Sequence, residues 1–210
     1  ARNIASGRGT SVDGINASNG WHPLWMLVNT VVFSASYSDP DTPVRAALAL
    51  GALCDSLVAV CIYWTLRRLR SESAGMIGGL AYAINIMPML QSVNGLETGL
   101  AALILALAWL WTLRLLRAPR VQTALVWGAI YGFAFLARTD SAIILGCLGI
   151  YTAWRLRHSL QWVVIGAVVA GIIIAPWLVW NQVNFGSALD QVSGSAVPWT
   201  HAQITPEVIS

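Results

Sequence analysis

Apolar residues along this chain come in long unbroken runs, with polar residues gathered in short clusters between them. Six runs stand out, at 44–66, 74–93, 96–113, 121–137, 141–156 and 160–180. A helix needs about 20 mostly apolar residues to cross the hydrocarbon core of a bilayer. In that core only helices or closed barrels satisfy every backbone N–H and C=O. The runs are rich in Leu, Ala, Ile and Val and lack the period-two alternation of barrel strands. The pattern therefore predicts an all-α fold, a polytopic transmembrane helix bundle of about six spans. The fourth and fifth runs are short, so tilt or neighbouring helices must settle their ends.

One further apolar stretch covers 23–37. It is short, and its neck is Trp21-His22-Pro23-Leu24-Trp25, with tryptophans that favour the headgroup level. We expect an interfacial helix here. A transmembrane crossing is the alternative, and it would move residues 1–20 to the opposite side. Asp39-Pro40-Asp41-Thr42-Pro43 reads as a proline-punctuated turn before the first full span. The expected organisation is an outer-loop segment with its interfacial helix at 1–43, a transmembrane bundle at 44–182, and the start of an outer-face loop or domain at 183–210.

Charge orients this arrangement. Arg67, Arg68 and Arg70 follow the first run, Arg114, Arg117 and Arg120 the third, and Arg155 and Arg157 the fifth. The alternate loops are nearly free of basic charge. Arginine-rich loops are cytoplasmic by the positive-inside rule. Asn94-Gly95, Arg138-Thr139-Asp140 and everything after Trp180 are then expected to face outward.

Composition agrees: 57% of residues are hydrophobic and only 10% charged, far from a soluble domain. The net charge of +3 raises the question of nucleic acid, but the basic residues are scattered between apolar runs and form no binding stripe. Every basic residue other than histidine is arginine, which we read as composition bias. Cys54, Cys61 and Cys147 fall inside apolar runs, so they behave as small hydrophobes and imply no disulfide framework. No CxxC or zinc-type cluster is present. The chain opens without methionine in a polar segment and closes in another, and we expect it to be an excerpt of a longer membrane protein.

Polar residues that hydropathy does not explain are the informative ones in a membrane protein. With this topology most share the outer level: Asp13, Asn19 and His22, then Asn94 and Glu97, then Arg138 and Asp140, with Asp190 and His201 beyond the last span. Acids, a fixed cation and a histidine on one face suit an anionic lipid-linked substrate. A carboxylate can serve as base, and an arginine can hold phosphate through paired hydrogen bonds. Simpler roles exist for each. Glu97 can act on the dipole of the helix it opens, Asn94 can make a turn, Asp140 can cap a helix, and Arg138 can snorkel or pair with Asp140. An outward arginine nevertheless runs against the charge rule. His22 can be a mere interfacial residue, Asp13-Gly14 a tight turn, and Asn16-Ala17-Ser18 a chance glycosylation sequon. Asp55 is mid-span and must find a partner inside the bundle.

Several of these segments together resemble a family. Ala1-Arg2-Asn3-Ile4-Ala5, Gly7-Arg8-Gly9, Asn19-Gly20-Trp21-His22-Pro23-Leu24-Trp25, Asn94-Gly95-Leu96-Glu97-Thr98-Gly99 and Phe135-Leu136-Ala137-Arg138-Thr139-Asp140 look like blocks of GT-C type integral-membrane glycosyltransferases. These are relatives of the protein O-mannosyltransferases and of the lipid A aminoarabinose transferase. The resemblance covers nearly the whole chain, through short motifs in a consistent order. It implies a GT-C-like bundle in the bacterial cytoplasmic membrane that moves a sugar from a polyprenyl-phosphate-linked donor to a glycan, lipid or protein acceptor on the outer face, usually with inversion. It also implies Glu97, with His22 and Asp13, as catalytic candidates, and Arg138 and Asp140 as candidates for the donor phosphate. Asn19 and Asn94 are further candidates. A divalent metal ion is possible; its ligands have no spacing signature. The family's first-loop acid is expected to lie before Ala1, which would leave this stretch inactive alone. A transporter or lipid flippase, or a non-catalytic membrane subunit, is the alternative. The first would need polar groups near the midplane and matching broken helices; the second would tolerate joint replacement of Glu97, Arg138 and Asp140.

Overall fold

The architecture is taken from a computed structural model, which describes residues 1–7, 9–10, 18–35 and 41–189. Among these the chain is all-helical, with no strand. Two short elements come first, α1 (Arg2–Ala5) and α2 (Pro23–Ala35). The bundle follows as α3 (Asp41–Leu69), α4 (Glu72–Ala83), α5 (Ile86–Ser92), α6 (Thr98–Arg117), α7 (Val121–Ala137), α8 (Ala142–Arg155) and α9 (Gln161–Phe185). Three helices, α3, α6 and α9, are each long and apolar enough to cross a membrane unaided. Large apolar side chains such as Ile77, Ile84, Ile143, Ile150 and Ile172 stand exposed around the bundle, where a bilayer would cover them. The chain is an integral membrane protein.

The run at 74–93 is not one straight helix. It is the pair α4 and α5, bent by 56°. Pro88 supplies the reason: its ring cannot donate to Ile84 and clashes with the carbonyl four residues back, where α4 ends. Asn85 then restarts the helix by accepting the Met87 N–H at 3.0 Å. The proline turn expected at 39–43 is also corrected in part. Asp41, Thr42 and Pro43 form the first turn of α3, where proline is tolerated because its missing N–H had no partner to lose. Residues 36–40 lie outside the described ones. The short runs at 121–137 and 141–156 become α7 and α8, and α2 at 13 residues rises only about 20 Å, short of the ~30 Å core.

Close helix contacts depend on glycine. A Cβ on Gly128 of α7 would fall on the backbone of Gly166 in α9, and one on Gly132 would lie 2.8 Å from Ile173 Cβ. Gly75 and Gly79 play the same part between α4 and α3, against Tyr63 and Ala59. Small residues four apart let helix backbones approach where lipid gives no hydrophobic drive. The bundle core lies between α6, α7 and α9, around Ala108, Leu115, Ala124, Trp127 and Tyr131.

The arginines of α3 and α6 end together, with Arg117 Nη2 donating to the Arg68 carbonyl at 3.2 Å. The opposite end carries the starts of α3, α6 and α8 and the finishes of α7 and α9. Helix α2 lies at that end, where Trp25 Nε1 donates to the Gly95 carbonyl at 3.1 Å.

Candidate functional site

Four of the residues singled out above converge at the end opposite the arginine clusters. Glu97 sits at the N-cap of α6, but its carboxylate accepts no N–H from that helix. It turns sideways instead, so that Oε1 lies 3.4 Å from His22 Nε2 and 3.8 Å from Arg138 Nη1. The Glu97 side chain is 14% exposed. His22 directly precedes α2, and Arg138 ends α7. The turn Thr139–Ser141 brings Asp140 back beneath Arg138.

Arg138 and Asp140 form a two-bond pair, Nε to Oδ1 at 3.0 Å and Nη2 to Oδ2 at 2.9 Å. The hydrogen bonds from Arg138 hold the Asp140 carboxyl below its usual range, and those to Asp140 hold the guanidinium more firmly charged. Asp140 is 63% exposed, so solvent screens much of the pair's energy. What the pairing fixes is direction. It leaves Nη1 facing Glu97 and keeps the cation at the site.

Below this pair a groove of about 280 Å³ runs between α6 and α8, lined by Thr98, Ala101, Ala102, Leu105, Ser141 and Ile144, with Arg138 and Asp140 completing it. On α6 those positions follow the i, i+3, i+4, i+7 stripe of one helix face. Alanine at two of them leaves the space unfilled. The result is an apolar channel with a cation at its rim, a shape suited to a lipid carrying an anionic head.

The two asparagine candidates make contacts of their own. Asn19 is fully buried and donates from Nδ2 to Asn181 Oδ1 at 3.2 Å, while Trp21 packs on Trp177 and Trp180 of α9. These contacts dock residues 18–21 onto α9. Asn94 makes the turn before α6: its Oδ1 accepts the Leu96 N–H at 3.0 Å and its Nδ2 donates to Gln91. Asp13, Asp190 and His201 lie outside the described residues. Mid-span Asp55 accepts a 2.7 Å hydrogen bond from Tyr82, near the α4–α5 break.

Sequence reasoning passed over Asn181, Thr98 and Ser141. Asn181 was readable as a polar residue directly after Trp180 at the end of an apolar helix; Thr98 and Ser141 carried no such signal. No group of three or more His, Cys, Asp or Glu side chains converges to hold a metal among the described residues.

A family model described as dolichyl-phosphate-mannose-protein mannosyltransferase matches residues 39–180, more than half of the chain. No curated protein and no solved structure matches.

Proposed function

The chain belongs to the dolichyl-phosphate-mannose-protein mannosyltransferase family, glycosyltransferases of GT-C type, and on that premise we propose that it moves a sugar from a polyprenyl-phosphate-linked donor to an acceptor outside the cytoplasmic membrane. The observation that carries this is Arg138, fixed by Asp140 at the rim of an apolar groove and 3.8 Å from a largely buried Glu97. The groove takes the first part of the prenyl chain, and Arg138 takes the phosphate. Placing this end outward follows from the arginine clusters at the other end.

In the transfer, the acceptor hydroxyl attacks the anomeric carbon as the bond from that carbon to the phosphate oxygen breaks, with inversion. The hydroxyl proton passes to a carboxylate, and the polyprenyl phosphate leaves with its new charge against Arg138. We assign this role to Glu97. Its Oε1 faces His22 and Arg138, and its Oε2 has no partner among the described residues. His22 and Arg138 hold it in orientation. Because a lipid phosphate already leaves readily, positioning and charge neutralisation supply most of the barrier reduction. Asp13 stands as a second carboxylate for the same role.

The α4–α5 break and the Asp55–Tyr82 pair favour a transporter reading, since broken helices near polar groups mark transport sites. Among the described residues that break has no counterpart in a second half. The test is steady-state kinetics of the full-length protein with Arg138→Ala. Donor KM should rise by about tenfold or more, the cost of losing a charge-assisted contact, with acceptor KM little changed. Loss of acceptor affinity alone would refute the assignment.

A further inference from the structure

A second cavity, of about 160 Å³, lies at the opposite end of the bundle between α3 and α6, lined by Trp64, Arg68, Leu110, Trp111 and Arg114. Its charge is unbalanced. The neighbouring Arg67 is met by Glu72 at 3.8 Å and donates to Tyr63. Among the described residues Arg68 and Arg114 have no carboxylate partner. Arg68 lies over the Trp64 ring, 5.8 Å from its centre, and Arg114 over Trp111 at 5.0 Å. The indole N–H of Trp111 is buried and has no hydrogen-bond acceptor. Two unpaired guanidiniums thus share a cavity with a residue whose donor lacks a partner. Outside the cavity the surface along α3 is apolar, with Leu53, Leu57 and Val60 exposed.

We propose that this cavity binds the phosphate of an anionic phospholipid from the leaflet that faces the arginine-rich loops, with an acyl chain lying along α3. The size argues for such a ligand, because the cavity is smaller than the ~300–1,000 Å³ of sites that enclose a whole small molecule. It takes a headgroup whose remaining bulk stays in the bilayer. The two arginines supply bidentate geometry for phosphate oxygens, and Trp111 supplies a third donor. Basic pockets between spanning helices on the cytoplasmic side recognise lipid headgroups in this way. The cavity is separate from the Arg138 groove, so this site and the transfer site can fail independently.

The test uses the full-length protein in detergent micelles containing phosphatidylglycerol or phosphatidylcholine, with retained lipid counted by native mass spectrometry. Wild type should retain phosphatidylglycerol in preference to phosphatidylcholine. The double variant R68Q/R114Q should lower that retention by about tenfold or more, whereas R155Q/R157Q at another basic loop should leave it unchanged. Equal retention by R68Q/R114Q, or an equal loss in R155Q/R157Q, overturns the proposal. So does displacement of the lipid by inorganic phosphate at matched concentration, which would mark a free-anion site. If the double variant does not fold, W111F keeps an aromatic side chain and removes the indole N–H. A severalfold loss of phosphatidylglycerol supports the site, and unchanged retention by W111F overturns it.

Discussion

Thr112 is where the register between the two site-bearing helices is set, and it offers a sharp test. Its hydroxyl donates to the Ala108 carbonyl at 2.8 Å, so its two lone pairs are left to accept. Trp127 Nε1 donates to it at 3.0 Å, and the Tyr131 hydroxyl lies 2.9 Å away and must be the donor of that bond. Thr112 is buried and belongs to α6, while both donors belong to α7. Thr112→Val keeps the shape and removes the acceptor, leaving two buried donors unpaired. Interhelical hydrogen bonds in membranes average about 0.6 kcal/mol with a maximum near 1.7, so the loss should be roughly 1–3 kcal/mol. Size effects are removed by a double-mutant cycle with Tyr131→Phe. The coupling energy should be about 0.6–1.7 kcal/mol, read from reversible unfolding in mixed micelles with rising dodecyl sulfate. Coupling of zero within about 0.3 kcal/mol would show that the pair carries no energy and that α6 and α7 are set in register otherwise.

Other consequences can be checked separately. Gly128→Leu must push α7 off α9, since even a Cβ there meets the Gly166 backbone. It should cost several kcal/mol and appear as a large fall in melting temperature, with Gly171→Ala, where a Cβ meets nothing, as the neutral control. Asp140 has a depressed folded pKa, so its contribution is present above the unfolded carboxyl range, about pH 4, and is lost as pH falls through the folded value. The melting temperatures of wild type and Asp140→Asn should therefore differ most near neutrality and converge at acid pH; a gap that widens in acid contradicts the pairing. Asn181→Ala removes a buried acceptor of Asn19, and hydrogen exchange at residues 18–22 should quicken; unchanged exchange would mean the tryptophan contacts alone hold that segment.

Hydropathy alone made the bundle legible, because lipid exposure forces apolar side chains all round each helix. The stretch at 121–137 reappears as Val121–Ala137. What hydropathy misses is the direction of the backbone. Pro88 bends the second run, where Asn85 caps the restarted helix, yet Pro176 lies inside α9 without ending it. The convergence of Glu97, Arg138 and His22 was readable as a shared level, from arginine placement and the position of each residue at a helix end. That Arg138 points to Glu97 with one nitrogen while Asp140 holds the others is a matter of side-chain geometry that sequence does not carry. The same holds for the groove, which exists because Ala101 and Ala102 leave space opposite Ile144.

The central claim is the class of donor. The decisive measurement is transfer by the full-length protein in its native membrane, offered either a labelled polyprenyl-phosphate sugar or the matching sugar nucleotide. We predict label moving from the lipid-linked sugar to an acceptor, with polyprenyl phosphate released and the anomeric configuration inverted. Transfer from the nucleotide with none from the lipid would contradict it.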